Sequence, residues 1–140
     1  MNKRELWLSL ANYHFDHLVP TNLWGEIKAK FSGENPFTSA FADKLCRKFG
    51  WKKHFALKAI FEYKKFVFLG ITSPLRVTPS KVIDMVWHEH LLFSTGYRRF
   101  CTEIIQHNFD HHPELIEMDS QTEAFQLQYA STMELYQMEF

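Results

Sequence analysis

The sequence predicts an all-α fold, a compact single-domain bundle of about five helices. Three observations carry that expectation. Apolar residues recur at three- and four-residue spacing along several segments, the period of a helix packed on one side. Alternation of apolar and polar residues, the mark of a half-buried strand, is hard to find anywhere in the 140 residues. Five glycines and five prolines fall mostly between the periodic segments, as punctuation. At this length one domain over residues 1–140 is expected. Such a chain removes about 70% of its unfolded surface from water and needs no staple.

Residues 3–17 read as the first helix, with Leu6, Leu8, Leu10, Tyr13 and Phe15 as its apolar content and Pro20 closing it. Leu23 to Phe31 adds a short helical turn before the loop SGENP, Ser32 to Pro36. Thr38 or Ser39 is placed to cap a second helix, since a hydroxyl accepts from the early unpaired amides. Phe41, Leu45 and Phe49 form that helix's stripe, and Gly50 follows where left-handed backbone is needed. A third helix is expected over about Lys52 to Leu69, burying Phe55, Ala59, Tyr63, Phe66 and Leu69. Lys52, Lys53, Lys58, Lys64 and Lys65 read as its solvated face, because Glu62 is interleaved among them and no aromatic platform accompanies them.

After the loop ITSPLRV, Thr78 fits an N-cap and Pro79 a first helical residue, whose missing N–H would have been unpaired anyway. That helix reaches at least Leu92 and extends past Gly96 towards Ile105. HNFDHHPE ends it, and a last helix covers about Ser120 to Met138, with Phe125, Tyr129, Tyr136 and Phe140 at near-helical spacing.

Composition narrows the function. Hydrophobic residues make up 46% and aromatics 16%, including 14 Phe, which suits a packed core rather than disorder. Sixteen basic residues balance 16 acidic ones, and this argues against nucleic acid as the main partner, since phosphate neutralisation favours a basic surplus. Cys46 and Cys101 are too few for a disulfide framework and read as buried free thiols. The N-terminus, MNKRELWLSLANYHFD, lacks the apolar run of a signal peptide, and FVFLGI (Phe66 to Ile71) is too short to span a bilayer. A cytoplasmic protein with no membrane partner is expected.

The chemistry-bearing stretch is WHEHLLFSTGYRRFC, Trp87 to Cys101, followed by His107, His111 and His112. His88 and His90 share a face on a strand, but on a helix they stand about 200° apart and cannot chelate one ion. The zincin pattern is absent, because Leu92 occupies the second histidine position. Asp84 and His88, four residues apart, are spaced for a carboxylate to orient an imidazole. Trp87, His90, Leu91 and Ser94 form another strip, continued by Tyr97 and Cys101. His90 on that strip is expected to be buried and hydrogen-bonded to a group of the last helix. The candidate polar pocket is therefore Asp84, Trp87, His88, His90, Tyr97 and Cys101. No cofactor is expected. The alternative is zinc, held across elements by Cys101, His88 or His90, and one of His107, His111 and His112. Arg98 and Arg99 near Cys101 would suit an activated thiolate, although a buried thiol is the simpler reading. Gly-rich phosphate loop, nucleophile elbow and paired-carboxylate motifs are absent.

The run VTPSKVIDMVWHEHLLFSTGYRRFC followed by DHHPE resembles the bacterial glycine-rich-domain-containing-protein-like family, related to a domain of plant glycine-rich domain proteins. FADKLCRKFGW, FEYKKFVFLGI and YASTMELYQMEF are similar to that family's flanking helices, so residues 37–140 read as a family-like core and 1–36 as a less well matched helical segment. The chain lacks a glycine-rich tail, and IIQHNFDHHPE lacks the glycine usual before the paired histidines. The resemblance implies Asp84, Trp87, His88, His90, Tyr97, Cys101, His111 and His112 as site positions, and no activity. The expected function is a binding or interaction module whose partner is another protein or a small ligand. The alternative is a metal-binding protein or metal-dependent enzyme. An exposed Trp7, Trp24 or Trp51 would anchor a protein partner.

Overall fold

A computed structural model describes residues 1–31, 33–74, 77–110 and 137. Among these the chain is helical throughout, without strands: α1 (Lys3–Ala11), α2 (Trp24–Lys30), α3 (Pro36–Phe49), α4 (Lys53–Thr72), α5 (Lys81–Leu91) and α6 (Ser94–Arg99). Short 3₁₀ turns cover Asp16–Leu18 and Thr21–Leu23, and a π-helical turn covers Phe100–Ile105. The long α4 is central and packs against α1, α3 and α5.

Asn2 starts α1 with a capping box: its side chain accepts from the Glu5 amide at 2.8 Å, and its own amide donates to Glu5 at 3.2 Å. The helix ends at Ala11, six residues before the expected limit. The last-turn carbonyls of a helix lack internal partners, and here Lys64 from α4 donates to the Ala11 carbonyl at 3.4 Å and the Tyr13 carbonyl at 2.7 Å. The chain then turns through Phe15, whose φ of 62° is left-handed, a strained setting for a bulky side chain. Its ring is buried among Tyr13, Phe41 and His90, and that burial holds the turn.

Pro36 opens α3 two residues before Thr38. Thr38 instead donates to the His14 carbonyl at 3.1 Å, and Ser39 accepts from Lys53. Phe41 and Leu45 are buried as the stripe requires, and Gly50 closes the helix at φ 71°. In α4, Ala59, Tyr63, Phe66 and Leu69 face the core, while Phe55 at the helix start lies outside it. Lys64 departs from the solvated-face expectation: its stem is buried and its ammonium serves α1. Ser80, not Thr78, caps α5 by accepting from the Ile83 amide, and Thr78 is buried in the loop before it.

The single helix expected from Pro79 towards Ile105 is broken. It stops at Leu91, turns through Leu92 and Phe93, and restarts as α6 before widening into the π-turn. No helix among the described residues is long and apolar enough to cross a membrane. His111, His112 and, apart from Gln137, the expected Ser120–Met138 helix lie outside the described residues.

Candidate functional site

Helix α5 drives His90 into the middle of the core. Rings of Tyr13, Phe15, Phe41, Tyr63, Tyr97 and Phe100 surround the imidazole, with centroids 4.8–6.1 Å away. Tyr63 Oη lies 2.7 Å from Nδ1 and Tyr13 Oη 3.4 Å from Nε2. A neutral imidazole has one donor and one acceptor nitrogen, so two hydroxyls satisfy it completely. Burial, reinforced by His17, drives the His90 pKa down to about 3. Burial likewise raises the Tyr13 and Tyr63 hydroxyls well above the usual phenol range. All three groups are uncharged in the fold. Tyr13 and Tyr63 are the partners of His90 among the described residues, and the last helix, where a partner was expected, lies outside them.

The motif's other residues divide. Trp87 Nε1 donates to Tyr97 Oη at 3.0 Å, and that hydroxyl donates to the Phe109 carbonyl, drawing the chain after the π-turn back over α4 and α5. Phe109 stacks on Trp87 at 4.8 Å. Cys101 is buried, and burial raises its thiol pKa, so it is a thiol rather than a thiolate at neutral pH. Cys46, expected to be buried, is partly exposed. His88 faces solvent, opposite His90, and Asp84 is half-buried. His107 is exposed and turns Nδ1 to the Asn108 carbonyl. Among the described residues no three His, Cys, Asp or Glu side chains converge as metal ligands would. Trp7, Trp24 and Trp51 are all partly buried, and Trp24 Nε1 donates to the Val19 carbonyl.

Glu89, between the two histidines, has a role the sequence reading did not assign. Its carboxylate is 1% exposed and meets Lys48, with Lys44 at 3.4 Å. Burial pushes its pKa up, but hydrogen bonds and charge from Lys48 and Lys44 prevail and hold it below the usual carboxylate range. This contact fastens α5 to α3.

The open site lies elsewhere. A groove of about 610 Å³ runs between the end of α1, the Phe15 turn, α2 and the start of α3. Tyr13, Trp24, Phe37 and Ile104 give it apolar walls; Asn12, His14, Asp16, His17, Lys28 and Glu34 give it polar ones. His17 is the best-defined of these. Its Nε2 lies 3.3 Å from Glu103 Oε2, and a carboxylate only accepts, so Nε2 carries the hydrogen. Nδ1 is buried and has no hydrogen-bond partner among the described residues. Arg99 also holds Glu103, its Nε 3.0 Å from the same Oε2. Two unusual backbone segments build this arrangement. The left-handed Phe15 immediately precedes the 3₁₀ turn carrying His17, and the π-turn carries Glu103 and Ile104. The π-turn is tied to α1 by Ser9 Oγ, which donates to the Ile104 carbonyl at 2.8 Å. Gly96 of α6 lets the His17 backbone approach: a Cβ there would lie 2.5 Å from the His17 carbonyl oxygen. The available signal was the pair His14 and His17 around Asp16 in YHFDH, which the expected continuous first helix concealed.

No curated protein and no solved structure matches the chain. A family model described as UCP032817-like matches residues 28–134, which covers α3 to the π-turn and extends beyond the described segment. This finding overturns the resemblance to the glycine-rich-domain-containing-protein-like family. Because the match covers well over half of its length, the chain belongs to the UCP032817-like family.

Proposed function

We propose that this protein is a small helical binding module that takes a small polar ligand in the groove beside His17. One observation carries the reading: the largely buried His17 imidazole lines the groove, held through Nε2 by Glu103, while its Nδ1 has no hydrogen-bond partner among the described residues. Buried polar nitrogens are ordinarily satisfied, so an unmet one beside a groove suits a ligand's polar group. The backbone around the groove supports it as well. Left-handed non-glycine backbone and π-helical turns both concentrate at functional sites, and this groove is bordered by one of each. The WHEH helix, with His90 sealed in aromatic rings, serves as the scaffold beneath.

Fragment screening by two-dimensional NMR tests this proposal. Ligands are expected to move the Trp24 indole and His17 ring resonances. His17→Gln should weaken them about tenfold, the cost of one lost hydrogen bond of roughly 1.4 kcal/mol, with melting largely retained. Fragments that bind only away from these resonances, or bind His17→Gln as well as the parent, would sink the reading.

A further inference from the structure

An apolar strip on the outside of the bundle has a fitting occupant in the chain's own sequence. Leu57 and Phe61 stand one turn apart on α4 and are 40% and 45% exposed. Trp7 of α1 meets Phe61 edge-on at 6.0 Å, so the two helices form one aromatic ridge. Large apolar side chains scattered singly are ordinary on a surface, whereas adjoining ones across two helices mark a contact face. Cations border it. Lys58 is exposed beside Leu57, Lys65 sets its ammonium 4.9 Å over the Phe61 ring, and Lys3 and Arg4 are exposed one turn before Trp7.

The sequence divides its charge unevenly. All 16 Lys and Arg precede position 100, whereas residues 111–140 contain six acids (Glu114, Glu117, Asp119, Glu123, Glu134 and Glu139) and no Lys or Arg. The balanced net charge is therefore a positive body set against a negative C-terminal segment. That segment also carries a stripe at helical spacing: Phe125, Tyr129, Met133, Tyr136 and Phe140. A lone helix of such length is marginal in water and gains its stability from a face to pack on. The route is short. Phe109 stacks on Trp87 and lies against Phe66, so the chain leaves the described body already beside α4. Residues 111–119 reach up to about 30 Å, roughly the length of the 20-residue α4.

We propose that the segment 120–138 docks as an amphipathic helix along this α1–α4 ridge, its aromatic stripe on Leu57, Phe61 and Trp7 and its acids towards Lys58, Lys65 and Arg4. Tethering supplies an effective concentration in the millimolar range, so a weak contact suffices. A second copy of the body is disfavoured there, because the same cations would meet face to face. The ridge shares none of these residues with the His17 groove, and neither reading depends on the other.

Hydrogen exchange on the full chain at neutral pH tests the docking. Amides of 121–138 should exchange at least about tenfold slower than in an unstructured chain of the same sequence, independently of protein concentration. Phe61→Glu removes an apolar contact and sets a carboxylate before an acidic segment. It should abolish that protection while amides around Tyr63 to Val67 stay protected. Tyr129→Ser, outside the described body, makes the same break without burden on the bundle and should shift the Trp7 indole resonance; it decides the matter should Phe61→Glu fail to fold. Lys58→Glu should lower the protection about two- to threefold, an effect that added salt erases. Exchange of 121–138 at unstructured rates in the parent would overturn the docking. Protection that survives either aromatic substitution in a folded body, or an unmoved Trp7 indole in Tyr129→Ser, would overturn it too. Protection that appears only as concentration is raised would assign the ridge to the segment of a second copy and overturn the intramolecular contact.

Discussion

His90 binds no proton in the fold until the pH approaches 3, whereas in the unfolded chain the imidazole takes one near pH 6.5. The unfolded state therefore binds more protons through that interval, and folding stability falls as the pH drops. Stability from this group is complete above pH 6.5 and is lost progressively down to about pH 3. Between pH 7.5 and 5 the loss is about 2 kcal/mol, read as a shift in the urea midpoint. His90→Gln should abolish that part of the slope while costing about 2–4 kcal/mol at neutral pH, through repacking and two hydroxyls left unmatched. Equal slopes in parent and variant would mean that the imidazole titrates in the fold. The sequence showed that His88 and His90 must part, since helical geometry alone decides it. It could not show His90's partners, because Tyr63 and Tyr13 stand 27 and 77 residues away in sequence.

Between elements, the contact of α6 with the His17 turn is the most exacting. Gly96 is buried, and an added methyl would also meet the His17 carbonyl carbon and the Leu18 side chain at 3.0 Å. Backbone cannot step aside as a flexible side chain can. Gly96→Ala is thus expected to cost about 1–3 kcal/mol and to displace the His17 ring from Glu103. Chemical denaturation and the His17 ring shifts check both parts; a variant with parental stability and unmoved shifts would show that the turn yields freely. Helix boundaries were legible where local chemistry sets them, as at Gly50 of α3. They were illegible where distant groups intervene. Lys64 ends α1 early from across the core, and the turn at Leu92 and Phe93 interrupts a stretch whose periodicity reads as continuous.

As a whole, the molecule is arranged around α4, which packs on α1, α3 and α5 and buries nine of its residues. Amides at the centre of α4, around Tyr63 to Val67, should exchange with solvent only through global unfolding, while α2, which buries none of its residues fully, should open locally. Hydrogen exchange in which α2 is protected as strongly as α4 would contradict this hierarchy. The all-α class was legible because periodicity and punctuation agree over most of the chain. The groove was not. It joins His17 to Glu103 across most of the described sequence, through one left-handed residue and one widened turn that no residue pattern announces.

That widened turn gives the site an unusual relation to chain length. A π-helical turn accommodates one residue more than the α-helical turn it replaces. Loss of a single residue within Phe100–Ile105 would restore ordinary helical spacing and rotate all that follows by about 100°. Such a shorter chain would keep its core aromatics and lose the register that sets Glu103 against His17 and Ile104 against Ser9. A one-codon deletion would thus separate the scaffold from its recognition site, and related chains differing there by one residue would share the bundle without sharing the ligand.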